Sequence, residues 1–108
     1  MIINLTPHQV NIHGTVDGVA SVAQVPPSGD VARVAATFAA GPIVDHVQTF
    51  RRTFGAVTGL PPARDGVTLV VSALVAAACP RADVFSPGEL IRDAAGQPIG
   101  CHGLVASI

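Results

Sequence analysis

The chain has 108 residues, of which 49% are hydrophobic and only 12% charged, with a formal net charge of −1. An ordinary soluble domain is about 25% charged. The length suits one domain spanning 1–108 around one core, and near-neutrality excludes the broad basic surface that a nucleic-acid polymer requires.

Taken in chain order, Ile2 to Val10 reads as a strand broken by Pro7, which suits a sheet edge or a bulge. Val10 and Ile12 alternate with Asn11 and His13. Gly14 to Gly18 then supplies a turn before a second strand, Val19 to Val25. Pro26-Pro27-Ser28-Gly29 is a loop. Val34 to Ala40 is compatible with a helix or a strand, ended by Gly41-Pro42, because periodicity does not separate the two over so few residues. Val44 to Phe50 and Thr53 to Thr58 read as strands, and Gly59-Leu60-Pro61-Pro62 and Asp65-Gly66 as loops. Val67 to Val71 is a continuous apolar strand leading into Ser72, a helix N-cap. Ala73 to Cys79 are good helix formers, and Pro80 stops them. Arg81 to Gly88 reads as a loop, and Leu90–Asp93 and Ile99–Val105 as a hairpin joined by Ala94-Ala95-Gly96-Gln97. The expected fold class is α+β, mainly antiparallel β-sheet with one or two short helices.

The longest apolar run, Val67 to Cys79, contains Thr68 and Ser72 and falls short of the about 20 residues that span a bilayer. Met1-Ile2-Ile3-Asn4 lacks the basic region and apolar core of a signal peptide. A cytoplasmic protein with no membrane partner is therefore expected. A folded monomer of this mass exposes about 5,600 Å², more than six arginines and seven acids can cover. Large apolar patches are rare on soluble monomers, so a homo-oligomer is expected.

Cys79 and Cys101 match no zinc or redox spacing and read as buried thiols. His8, His13, His46 and His102 lack the paired spacing of metal-binding helices, so no metal and no cofactor is expected. The sequence has no Gly-x-Ser-x-Gly elbow and no GxGxxG. Without lysine it has no GxxxxGK[ST] phosphate loop. Most of the acids flank turns, where Asp serves the backbone, and no catalytic residue is assigned.

Two arginines lie in apolar surroundings beside turns: Arg33, after Ser28-Gly29, and Arg92, before Asp93. A guanidinium placed there points at water, a carboxylate or a ligand. Its planar fork together with loop N–H groups suits phosphate oxygens, whereas the plainer reading is an outward strand arginine or an Arg-Asp pair. Arg81 and Asp83 could cap the helix's carbonyl end or reach a ligand's ribose or base. Arg51-Arg52 reads as a solvated strand face. Phe85 is the aromatic best placed to stack on a base, and Phe38, Phe50 and Phe54 read as core.

These residues carry a resemblance. Asn4-Leu5-Thr6-Pro7-His8, Pro26-Pro27-Ser28-Gly29 with Arg33, and Phe54-Gly55-x-Val57-x-Gly59-Leu60-Pro61 occur in that order. Val70-Val71-Ser72-x-Leu74-Val75, Arg81-x-Asp83-Val84 and Arg92-Asp93-x-x-Gly96 follow. Over Asn4 to Cys101 the pattern resembles the first-described class of phage Thoeris anti-defence proteins, which sequester cyclic ADP-ribose-type signals made by bacterial immune TIR enzymes. The resemblance implies a non-enzymatic sponge in the host cytoplasm. Its protomers would form dimers with ligand at the subunit interface, assembling further into hexamers that also hold cyclic oligonucleotides. It implies that Arg33 and Arg92 read phosphate; the candidate ligand-binding set is Arg33, Arg92, Arg81, Asp83, Asp93 and Ser28. Leu69 stands where relatives tend to have an aromatic, and the stretch from Asp83 to Arg92 is short. Two other readings compete. One is a phage structural or assembly protein that oligomerises without binding nucleotides. The other is a degrading enzyme, which would draw on Asp83, Asp93 or His102.

Overall fold

The computed structural model describes residues 1–108 and contains eight strands and one helix. The strands are β1 (Ile2–Asn4), β2 (Val10–Val16), β3 (Val19–Val25), β4 (Arg33–Val44), β5 (Val47–Thr58), β6 (Thr68–Val70), β7 (Val84–Arg92) and β8 (Pro98–Ala106), and α1 spans Ala73–Ala78. Six strands form one sheet in the order β1-β6-β7-β8-β2-β3, while β4 and β5 form a separate two-stranded ribbon. The protein is thus mainly β, with one short helix. Antiparallel ladders are the longest, in β2/β3, β4/β5 and β7/β8. Parallel pairs, β1/β6 and β6/β7 on one side and β2/β8 on the other, flank the central antiparallel pair β7/β8.

The apolar run at Val67–Val71 explains the parallel β1-β6-β7 part. A strand covered on both faces needs apolar residues in both directions, and β6 supplies them. Leu69 and Val71 enter a cluster with Leu5, Ala32, Val75, Ala76 and Val84, whereas Val70 enters a second cluster with Val10 and Cys101. Ser72 then turns the chain into α1, its Oγ accepting a hydrogen bond from the Val75 N–H at 3.3 Å. The helix lays Val75 and Ala76 on the first cluster. Pro80 has no N–H to continue the helix, and the chain returns as β7 parallel to β6, completing a strand-helix-strand unit.

Several segments depart from the sequence expectations. Val34–Ala40 is strand, and β4 continues through Gly41-Pro42 by means of a bulge between Ala40 and Ile43, where the missing proline N–H is tolerated. The strand expected over Val44–Phe50 is interrupted. Asp45 and His46 adopt φ of 48° and 66° and form a two-residue hairpin turn of the primed type. Asp17-Gly18 makes the equivalent turn between β2 and β3, and Gly14 lies within β2. Pro87-Gly88 does not terminate a loop, because β7 runs through both residues. A Cβ on Gly88 would lie 2.1 Å from the His102 carbonyl oxygen, so only glycine lets β8 approach there.

Phe38, Phe50 and Phe54 are not core. Phe38 and Phe50 are 67% and 64% exposed, and Phe54 is half-buried. They lie on the β4–β5 ribbon, which projects away from the sheet. Cys101 is buried, Cys79 is half-buried, and both thiols are free.

Asn4 joins the N-terminal segment to the rest. It is 1% exposed. Its Nδ2 donates to the His8 and Val25 carbonyls at 2.8 and 3.0 Å, and its Oδ1 accepts from the Thr6 N–H and hydroxyl at 2.9 and 2.7 Å. Pro7 is accommodated in the turn this network builds. Asn4→Ala leaves these buried groups unpaired, and each carries a desolvation penalty of about 1–3 kcal/mol. We expect a loss of about 2–4 kcal/mol, read as a lower urea midpoint at unchanged slope.

Candidate functional site

Arg33 opens β4, opposite Thr58. Its side chain is exposed and forms no hydrogen bond or ion pair within the protomer. Arg92 closes β7 and is also exposed. Its Nη1 donates to the Gly96 carbonyl at 2.9 Å, which leaves most of the guanidinium donors free. The neighbouring Asp93 does not pair with it. The Asp93 Oδ1 accepts from the Ala95 and Gln97 N–H groups at 2.9 and 3.0 Å, so this carboxylate builds the β7–β8 turn.

Arg81 and Asp83 belong to each other. Arg81 Nε and Nη2 donate to the two Asp83 carboxylate oxygens at 3.0 and 2.7 Å, the only salt bridge in the protomer. Nη2 also donates to the Pro61 carbonyl at 3.0 Å, and the Arg81 backbone exchanges two hydrogen bonds with the Ser107 hydroxyl. The pair therefore ties the Leu60-Pro61 loop, the start of β7 and the end of β8 together, and it does not cap α1. The Ser28 hydroxyl closes a small turn with the Asp30 backbone, and the Ser28 N–H is bound to the Asn4 carbonyl at 3.0 Å. Two donors expected to join an anion nest are thus already engaged.

One protomer does not bring Arg33 and Arg92 together. Ala32 is hydrogen-bonded to Leu5, and Leu5 to Val70; Val70 lies beside Phe85. Arg92 is seven residues further along β7, which at the rise of an extended strand is roughly 23 Å. Leu69 is 1% exposed and packed in the core, so no base stacks at that position, and Phe85 is held within the sheet. Asp83 and Asp93 sit at opposite ends of β7, with His102 in β8 opposite Glu89. These three groups do not converge. No group of three or more His, Cys, Asp or Glu side chains is placed to hold a metal ion, and no helix is long and apolar enough to cross a membrane.

An open cleft of about 810 Å³ lies between the β1–β2 connection and the β7–β8 hairpin, bounded by Thr6, His8, Asn11, Leu90, Gln97 and Ile99 among others. Sequence reading missed it because its walls are distant in the chain and carry no Asp, Glu, Lys or Arg. The short-range signal was Asn4-Leu5-Thr6-Pro7-His8, whose side chains fold one wall. Gln97 connects this cleft to the turn that positions Arg92.

No family model matches the chain, and neither the curated proteins nor the solved structures include one that matches it.

Hydrogen bonding from Arg81, reinforced by its charge, holds the Asp83 carboxyl below its ordinary value of 3.8, and the same contact raises the Arg81 guanidinium. At neutral pH Asp83 is ionised in both the folded and unfolded chain, and the pair stabilises fully. As pH falls below 3.8, the unfolded chain takes up its proton first, and this contribution is lost down to the lower folded value. Asp83→Asn should unfold more easily at neutral pH and lack this part of the acid slope, measured by denaturant melts across the acid range.

Proposed function

We propose that this protein is a phage anti-defence sponge. It binds a cyclic ADP-ribose-type or other cyclic nucleotide signal in the host cytoplasm and sequesters it without degrading it. The observation that carries this reading is the placement of Arg33 and Arg92: of the five exposed arginines without an acidic partner, these two stand at strand ends beside loops, one opening β4 and the other closing β7. Arg81 spends its fork on Asp83; these two do not. The motif order from Asn4 to Cys101, which resembles the Thoeris anti-defence class, supports the same reading.

The energetics require an assembled site. Nanomolar capture needs about −12 kcal/mol, whereas an exposed ion pair contributes about 1 kcal/mol or less. Arg33 of one copy and Arg92 of another would therefore close on the ligand in a dry junction of a homo-oligomer, where charge-assisted hydrogen bonds are strongest. The protomer's surface of 7182 Å² supports self-association, since about 5,600 Å² is normal for this mass. The dispersal of Asp83, Asp93 and His102 favours holding over hydrolysis.

The same surface excess favours a second reading, a phage structural or assembly protein with no nucleotide affinity. Incubation with cyclic ADP-ribose isomers and cyclic dinucleotides, followed by heat denaturation, separates the alternatives. Release of intact ligand is the expected result. Recovery of hydrolysed product makes the protein an enzyme, and no calorimetric binding to the panel makes it an assembly protein. Arg33→Ala and Arg92→Ala should each weaken binding by about 2–4 kcal/mol, or roughly 30- to 900-fold in Kd, at unchanged oligomer mass.

A further inference from the structure

The β4–β5 ribbon is packed against the core only near its base, through Val34 and Val57. Between the bulges at Val34/Ala36 and Ala40/Ile43, cross-strand pairing is regular. Ala36 faces Phe54, Phe38 faces Arg52, and Ala40 faces Phe50. Paired residues share a face, and alternate residues along a strand return to it. One face of the arm therefore carries Phe38, Phe50 and Phe54, three of the four aromatic residues in the chain. Its only charge is Arg52, whose guanidinium carbon lies 4.7 Å from the Phe54 ring centroid. The opposite face presents Thr37, Thr53, Ala39 and Arg51.

The geometry points to a second copy of this chain as the occupant of the phenylalanine face, with two arms packed face to face about a twofold axis. Three observations select a second copy. The surface exceeds the monomer norm by about 1,600 Å², and a standard interface removes about 800 Å² from each partner. The patch has no acid and a single arginine already stacked on a ring, so it can meet itself without placing unlike surfaces together, as an isologous contact requires. A two-stranded ribbon is at best marginally stable alone in water, so its cover must be present whenever the chain folds, and another copy always is.

This inference shares with the proposed function only the need for self-association, and its test is separate. Sedimentation velocity of the full chain should give a dimer or a multiple of dimers at micromolar concentration. Phe38→Asp combined with Phe50→Asp should shift it to a smaller species with unchanged circular dichroism. Val22→Asp, on exposed β3 outside the arm, should leave the mass unchanged. A monomeric wild type, or a double variant of wild-type mass, overturns the assignment. The chain has no tryptophan, so Phe50→Trp supplies a single reporter that does not depend on the double variant folding. Its emission should be blue-shifted at micromolar concentration and should move to the solvent-exposed position on dilution. Solvent-exposed emission at every concentration overturns the interface. A dimer that binds no cyclic nucleotide removes the sponge and leaves the arm interface standing; an oligomer that binds one and keeps its mass in the double variant does the reverse.

Discussion

The structure depends on burying apolar surface where there is little interior to bury it in. The core is two small clusters on either side of β6, and only 13 of 108 residues are buried. The β4–β5 ribbon and the β2–β3 hairpin extend outward, giving a radius of gyration of 16.4 Å where about 13 Å is usual for this length. With so few charges, the exposed valines, isoleucines and phenylalanines have no polar cover. On the proposed reading, copies of the chain supply that cover.

That constraint also organises the charged groups. Arg81 and Asp83 satisfy one another while joining three segments, Asp93 builds a turn, and Ser28 closes another. Five arginines are left without an acidic partner: Arg51 and Arg52 lie along β5 and Arg64 in a loop, while Arg33 and Arg92 stand at strand ends, the first at the base of the arm and the second at the end of β7. Their separation within a protomer would be a defect in a monomeric receptor. Under the proposed function the two arginines meet only across copies, in a junction that excludes water from the phosphate contacts.

Local chemistry was legible in the sequence; long-range placement was not. The strand, N-cap and proline stop from Val67 to Pro80 were readable because each signal acts within a few residues, and the same is true of the turn before Pro98, whereas the turn expected over Gly14 to Gly18 shrinks to Asp17-Gly18. Asp45-His46 was missed because a left-handed pair without glycine is uncommon, although aspartate and histidine are among the residues that tolerate it. Gly41-Pro42 and Pro87-Gly88 were read as stops, yet a bulge in one case and a close approach by β8 in the other keep the strands running. The phenylalanines were recognised as apolar, but nothing local says whether the core they complete belongs to one chain or two. For the same reason the residue types of the candidate site could be named, while their placement at the start of β4 and the end of β7 could not.

Subunit complementation tests the shared site most directly. Arg33→Ala and Arg92→Ala chains, each defective alone, are co-expressed and titrated with the cyclic nucleotide that the wild type binds. In a mixed dimer one junction combines the intact arginine of each chain, so about a quarter of all sites should bind with wild-type affinity. A mixture as defective as either variant alone would show that the two arginines do not meet across copies, and the account would be wrong.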